Sequence, residues 1–188
     1  VDYRTPPSHP YPAALNDAIA VYRAVLRDRD PPQVFVGGDS SGGNIAAALM
    51  LRAKDEGLPM PAALVLNSPQ VDLTEPGDTF QTLAGVDNVL SSLRPVNALY
   101  AAGADLNDPY VSPLFGDLSG LPPTFLKSGT RDLLLSDTVQ MHRKLRAAGV
   151  EAELHVFEAM PHGGFGGDTP EDLDHAAEQR RFLTKHGA

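Results

Sequence analysis

A glycine-rich turn between two apolar segments constrains the fold of this chain more than any other feature. Residues 33–37 contain a wholly apolar run and predict a short strand, and residues 44–56 are rich in Ala, Leu and Met and predict a helix. The turn between them has the sequence G-D-S-S-G-G over residues 38–43. A strand-to-helix turn this sharp needs glycine and exposes the serine at its apex, Ser40, above the end of a sheet, which is the context of a nucleophilic serine.

A phosphate-binding loop is the alternative interpretation of such a turn. Phosphate loops require a lysine after the last glycine or a dinucleotide-binding fingerprint, and neither G-x-x-x-x-G-K nor G-x-G-x-x-G occurs in the sequence. The nucleophile interpretation is therefore favoured. In it, the backbone N–H of Ser41, the residue after the nucleophile, is one donor of an oxyanion hole.

Strands and helices alternate along most of the remaining chain, which predicts an α/β fold with a mostly parallel sheet flanked by helices. Further strands are predicted at residues 62–66, 124–127 and 151–157, and further helices at residues 13–27, 137–148 and 171–185. Residues 71–110 interrupt this alternation and contain one predicted helix, over residues 91–101. An interruption of this length is typically functional, and we expect it to form a lid or cap.

A serine nucleophile needs a base, and His162 is the predicted base. It follows the last predicted strand in the loop M-P-H-G-G-F, at the end of the sheet where open α/β sheets bind their ligands. The other five histidines have plainer interpretations. We expect His142, His175 and His186 to be solvated side chains on helices. We expect His155 to be a structural side chain in a strand, and His9 lies in the proline-rich opening.

Asp132 is the predicted acid that orients the histidine. It follows the strand at residues 124–127, and the order Ser40, Asp132, His162 is the order found in α/β-hydrolases. Asp137 is a competitor, but its expected position at the start of a helix suggests that it interacts with the helix N-terminus. Glu158 also competes, but it is expected in the same loop as the histidine, too close to reach it well.

Four motifs resemble the hormone-sensitive-lipase-like branch of the α/β-hydrolases, whose bacterial members are carboxylesterases. These are G-D-S-S-G-G-N at 38–44, the G-x-x-D at 129–132, the P-H-G with a following Phe at 161–165, and the Tyr-Arg and proline-rich opening at 2–14. The resemblance implies a partial α/β-hydrolase fold over residues 1–188 and a small helical cap insertion built partly from residues 71–110. It also implies a small-molecule ester substrate and often a homodimer, and hydrolysis by this route needs neither metal nor cofactor.

The sequence departs from the family pattern at one point. The H-G-G-G loop, which supplies the other oxyanion donors upstream of the Tyr-Arg segment, is not among the 188 residues, nor are the strands before it. Because one oxyanion donor contributes about 10²–10³ to turnover, we expect these residues alone to hydrolyse esters poorly. We also expect the strand at residues 33–37 to form an unpaired apolar edge of the sheet, which favours aggregation or strand swapping.

Composition excludes several other functions. The net charge of −9 disfavours nucleic acid and anionic membrane partners, and the lack of cysteine excludes thiolate catalysis. No apolar run is long enough to cross a bilayer, so no stable membrane insertion is expected, and no signal peptide is visible. We therefore expect a cytoplasmic protein.

Two other functions fit the same scaffold. A serine peptidase of the prolyl-oligopeptidase type also has a glycine-rich serine turn, but the Tyr3-Arg4 segment disfavours it. A non-catalytic receptor related to these hydrolases would lack the catalytic histidine, whereas His162 is present. The leading prediction is thus a serine carboxylesterase acting on small or short-acyl esters.

Overall fold

A parallel sheet forms the frame of the protein. In a computed structural model, which describes residues 1–187, the strands lie in the order β1-β2-β3-β4 and every neighbouring pair is parallel. The strands are β1 (Phe35–Asp39), β2 (Ala63–Asn67), β3 (Thr124–Arg131) and β4 (Ala152–Pro161). The register pairs Leu66 with Gly38 on one side and with Leu126 on the other. The predicted α/β class is confirmed.

Helices cover both faces of this sheet. The helices are α1 (Ala13–Asp28), α2 (Ser41–Asp55), α3 (Thr79–Thr82), α4 (Arg94–Ala101), α5 (Leu135–Ala147) and α6 (Pro170–His186), with 3-10 turns at Pro31–Gln33 and Pro113–Phe115. Successive residues of a strand point to opposite faces, so β2 divides its side chains between two cores. Leu66 packs in the larger core with α1, α2 and α5, and Val65 packs on the other face with Phe125 and Phe182 of α6.

The first strand and the helix after it differ from the predicted bounds. Pro31 and Pro32 begin a 3-10 turn that runs to Gln33, so β1 starts two residues later than predicted and includes Gly37 and Gly38. Helix α2 begins directly after Ser40 rather than at residue 44. The turn is therefore tighter than the sequence suggested. As expected, β1 lies at one edge of the sheet, with Phe35 partly exposed.

The last two strands are longer than predicted, and this difference determines where the site lies. Strand β3 continues through Gly129 and Thr130 to Arg131, so Asp132 is the first residue after it. Strand β4 continues to Pro161, so His162 stands at its end. The sequence-based bounds stopped early because glycine and polar residues break the apolar pattern. Here those residues keep pairing, with Gly129 opposite Phe157.

Residues 71–110 form a compact excursion that packs beside the sheet. They contain α3, which was not predicted, and α4, which begins at Arg94 rather than at residue 91. The side chain of Asn97 in α4 is buried, donating to the carbonyl of Leu73 at 3.0 Å and accepting from Gln70 Nε2 at 2.9 Å. The bond from Gln70 ties α4 to the segment that directly follows β2. Among the described residues, no helix has the length and apolar character that crossing a bilayer requires.

Candidate active site

The turn between β1 and α2 holds Ser40 in a strained backbone conformation. Its φ is 56°, in a region that side chains avoid at a cost of about 1–3 kcal/mol. Backbone hydrogen bonds secure it, since Ser40 N donates to Asn67 O at 2.9 Å. Glycine is required beside it because a Cβ on Gly38 would lie 2.2 Å from the carbonyl oxygen of Gly42. The predicted sharp turn is thus present, with Ser40 at its apex.

Ser41 occupies the position expected of an oxyanion donor. It is the first residue of α2 and is exposed. The first N–H groups of a helix have no acceptor within the helix and carry its positive end. The N–H of Ser41 therefore lies next to Ser40, at the positive end of α2.

His162 and Asp132 form a buried hydrogen-bonded pair. His162 Nδ1 lies 3.0 Å from Asp132 Oδ1, and both side chains are buried. The carboxylate also accepts from Ser128 Oγ at 2.8 Å and from the N–H of Leu134 at 2.9 Å. With a proton on Nδ1 donated to Asp132, the opposite nitrogen of the ring is left as an acceptor, which is the tautomer that a general base needs.

The pKa of Asp132 lies below its ordinary value. Burial raises this pKa, but the hydrogen bonds with His162 and neighbouring groups and the attraction of the imidazole outweigh that effect. The carboxylate is therefore ionised at neutral pH. Gly129 allows the strands that precede Asp132 and His162 to lie close together, because a Cβ on Gly129 would lie 2.0 Å from the carbonyl oxygen of Met160. Only glycine lets β4 approach β3 this closely.

Ser40 and His162 line the same polar cavity of about 250 Å³. No hydrogen bond joins the Ser40 hydroxyl to the imidazole within residues 1–187, as is common where catalytic bonds tighten only on substrate binding. The remaining lining residues are Asp39, Asn67, Ser68, Lys127, Gly163, Asp172 and His175. The structure therefore gathers all three predicted residues at one rim of the sheet, with the serine and histidine facing a shared space.

A second, mostly apolar cavity of about 180 Å³ lies beside Ser41. Its wall includes Ile45 of α2, Leu73, and Val96 and Tyr100 of α4. The excursion at residues 71–110 thus contributes directly to the wall of a pocket next to the turn. Its size suits a small substituent, since pockets for drug-sized ligands span about 300–1,000 Å³.

The competing carboxylates lie elsewhere, and their expected roles need correction. Asp137 is in the first turn of α5 but does not serve that helix's N-terminus: its Oδ2 accepts from the N–H groups of Val71 and Asp72 at 2.9 and 3.1 Å. Burial raises the pKa of Asp137 to about 7. Glu158 is in β4 rather than in the histidine loop, and it accepts from Thr130 Oγ1 at 3.2 Å.

The prediction that the helix histidines are solvated is wrong. His175 is half-buried, with Nε2 3.2 Å from Asn67 Oδ1 and its ring stacked near Phe125, because α6 turns this face towards the sheet. His142 contacts the carbonyl of Ala152, and His186 packs against Phe182. The expectation for His155 is met, since it stacks on Phe125 in the strand layer with ring centroids 4.8 Å apart.

Sequence reasoning missed Lys127, which is in β3 and only 3% exposed. A lysine inside an otherwise apolar strand was the available signal, because buried lysines are rare unless they have a role. It also missed Asp172 of α6, whose carboxylate accepts from the N–H groups of Phe165 and Gly167 at 3.1 and 2.9 Å. These bonds fix the glycine-rich loop after His162. No group of three or more His, Asp or Glu side chains in residues 1–187 is arranged to hold a metal ion.

The parallel sheet, the strained serine turn and the imidazole–carboxylate pair are the defining features of one class of protein. A family model described as alpha/beta hydrolase fold matches residues 1–165, and the chain belongs to this family. Within it, the chain is similar to an acetyl-hydrolase of Streptomyces hygroscopicus, 37% identical over 163 residues that cover 85% of this chain and 54% of the relative. It is also similar to the carboxylesterase NlhH of Mycobacterium tuberculosis, 36% identical over 177 residues that cover 87% and 54%.

Solved structures agree with these relatives. One esterase superposes with a TM-score of 0.96 and 43% identity, covering 100% of this chain and 59% of its own. An esterase from the bacterial hormone-sensitive lipase family gives a TM-score of 0.96 and 36% identity, covering 100% and 65%. The resemblance drawn from the four motifs is therefore confirmed. The chain spans about half the length of the curated relatives that it matches.

Proposed function

We propose that this chain carries the catalytic residues of a serine carboxylesterase that hydrolyses small or short-acyl esters. The observation that carries the proposal is the joint placement of a strained Ser40 and an Asp132-bound His162 around one cavity. The names of the relatives, an acetyl-hydrolase and several esterases, favour ester over peptide substrates.

The proposed reaction proceeds through an acyl-enzyme. Ser40 Oγ attacks the ester carbonyl carbon while Nε2 of His162 takes the hydroxyl proton, and the same nitrogen returns that proton to the departing alcohol. Asp132 keeps the imidazole in the required tautomer and stabilises the imidazolium. Water then attacks the acyl carbon, and His162 accepts a proton from that water. The C–O bond to Ser40 breaks, and Ser40 Oγ takes the proton from His162 as the carboxylic acid is released.

The negative charge that develops on the carbonyl oxygen needs donors. The N–H of Ser41 supplies one, supported by the positive end of α2. The resemblance assigns the others to an H-G-G-G loop, so full turnover is proposed for a protein that also carries such a loop.

We assign one substituent of the ester to the apolar cavity beside Ser41. Its volume of about 180 Å³ and its wall of Ile45, Leu73 and Val96 favour a short chain. In this proposal residues 71–110 form part of a cap, since Leu73 and Val96 both belong to that segment. The homodimer and the cytoplasmic location expected from the sequence remain predictions.

The test of the nucleophile is covalent labelling. An organophosphate should add one adduct to the protein, visible by intact mass. Ser40→Ala should abolish the adduct because Ser41, the other serine of the turn, does not line the cavity that His162 lines. Ser41→Ala is the matched control, because it removes a neighbouring hydroxyl and keeps the backbone N–H. Labelling that persists in Ser40→Ala and disappears in Ser41→Ala would move the nucleophile by one residue and refute the assignment.

A further inference from the structure

Lys127 presents a buried cation to the polar cavity beside Ser40 and His162. Its side chain points to the face of the sheet covered by α6, like that of Phe125 two residues earlier. The residue is 3% exposed, and its Nζ lies 3.8 Å from the point where a Cβ on Gly164 would stand. The ammonium therefore lies beneath the loop that carries the histidine.

This ammonium has no hydrogen-bond acceptor within residues 1–187. An ammonium group has three donors, and leaving them unpaired in a protein interior is costly. The charged groups around Lys127 are Asp39 at the end of β1, Asp132 after β3 and Asp172 of α6. They act on it through space rather than through hydrogen bonds, so the donors are available to an acceptor in the cavity.

The pKa of Lys127 is consistent with this arrangement. Burial lowers it, and the three carboxylates oppose that effect. The neighbouring imidazole of His175 also responds to burial and to Lys127, both of which lower its pKa. Charged, amide and hydroxyl side chains therefore make up much of the wall of this cavity, in contrast to the mostly apolar cavity beside Ser41.

The apolar and the polar cavity suit different parts of the proposed reaction. The apolar cavity touches Ser41 but neither Ser40 nor His162, and it fits a carbon chain. The polar cavity touches both of those residues and, at about 250 Å³, has room for several water molecules of about 30 Å³ each. A water that attacks the acyl-enzyme must reach the Ser40 ester and give its proton to His162, and of these two cavities it is the polar one that borders both residues.

We propose that the polar cavity supplies the hydrolytic water and that Lys127 holds this water through its ammonium hydrogens. The proposal rests on the acyl-enzyme mechanism proposed above. Lys127 donates to a lone pair of the water oxygen while a second lone pair faces the acyl carbon. The water O–H donates to Nε2 of His162, which takes the proton as the new C–O bond forms. The C–O bond to Ser40 then breaks, Ser40 recovers the proton from His162, and the carboxylic acid leaves.

The partition of the acyl-enzyme between two nucleophiles tests this role. The protein is incubated with p-nitrophenyl acetate and 1-butanol, and the ratio of butyl acetate to acetate is measured. Butanol has an alkyl chain that suits the apolar side, whereas water uses the polar cavity. Lys127→Met keeps the side-chain length and removes the donors, so we expect the ratio of butyl acetate to acetate to rise about tenfold, the value of one hydrogen bond from a charged donor.

Two further variants make the result decisive. Lys54→Met removes a lysine that pairs with Asp117 outside the cavity, and it should leave the ratio unchanged. Asn67→Leu replaces a neutral polar wall of the cavity and should raise the ratio in the same direction. If circular dichroism shows that Lys127→Met does not fold, Asn67→Leu is used for the test in its place.

The outcomes separate the two proposals. If the folded variants at positions 127 and 67 form the acyl-enzyme and keep the original product ratio, even with both products reduced together, the water-holding role is overturned. If the organophosphate labels the unsubstituted protein and Ser40→Ala equally, the acyl-enzyme mechanism on Ser40 itself fails, and this is seen by intact mass before any partition is measured.

Discussion

The imidazole of His162 is held at a single nitrogen. Its Nδ1 faces Asp132, and Asp132 is itself fixed by the hydroxyl of Ser128 and the N–H of Leu134. Each of these donors restricts the carboxylate, and the carboxylate restricts the ring. The orientation of the imidazole is therefore set by buried groups.

Asp132→Asn tests this dependence. The amide can donate to the ring nitrogen and so favours the wrong tautomer, and we expect kcat for p-nitrophenyl acetate to fall by about 10³–10⁴ with little change in KM. Glu158→Gln makes the same chemical change at an exposed carboxylate in β4 and should leave kcat within about twofold. Equal activity in the two variants would show that Asp132 does not orient the base.

At the scale of secondary structure, the ends of the strands position the three proposed catalytic residues. Ser40 follows β1, Asp132 follows β3 and His162 follows β4. Because the strands are parallel, these ends share one edge of the sheet, and this convergence could be predicted from the sequence. The exact ends could not, since Gly129 and the residues near it continue the strand by pairing with β4 although they are not apolar.

The residues missed in the sequence share one physical cause. The burial of Lys127, which was missed, and of His175, which was expected to be solvated, depends on which face of β3 and of α6 meets the other, and a single sequence does not specify that packing. The pattern around α6 is mostly polar, so its buried face was not evident. The positions of the three proposed catalytic residues at strand ends were predictable because each one stands at a motif, whereas the residues of the cavity wall were not.

Two glycines in and beside the turn between β1 and α2, Gly38 and Gly42, allow a matched comparison of alanine substitutions. Gly38→Ala places a Cβ 2.2 Å from a backbone oxygen, which cannot move without unwinding the first turn of α2. We expect a loss of a few kcal/mol, on the order of 2–4, in the free energy of unfolding and slower organophosphate labelling. Gly42→Ala meets nothing within 4 Å and should be neutral or stabilising by up to about 1 kcal/mol. Urea denaturation of both variants measures this, and equal stabilities would contradict the strained-turn account.

At the scale of the whole molecule, Asp137 joins two parts of the chain that are distant in sequence. Its carboxyl group in α5 is fully buried and binds the backbone at Val71 and Asp72, where the excursion at residues 71–110 begins. Its pKa is raised from 3.8 to about 7, so the folded protein holds a proton that the unfolded chain releases near pH 4. The folded state binds more protons across this interval, and stability therefore falls as the pH rises through it.

Asp137→Asn removes that titration. We expect the variant to match the unsubstituted protein near pH 4.5 and to exceed it in free energy of unfolding near pH 8, by an amount on the order of 1–3 kcal/mol. Urea denaturation at the two pH values measures the difference, and Asp137→Ala serves as the control because it also loses the acceptor for the two backbone N–H groups. A stability difference between the Asn variant and the parent that does not change with pH would contradict a raised pKa.

The backbone hydrogen bonds of Asp137 also affect the wall of a cavity that Asp137 itself does not line. Leu73, on the wall of the apolar cavity, comes directly after the backbone that Asp137 grips. We therefore expect a substitution that removes the Asp137 acceptor to change the shape of this cavity, although position 137 does not line it. Because the pKa of Asp137 is raised to about 7, we also expect the position of this wall to depend on pH near neutrality.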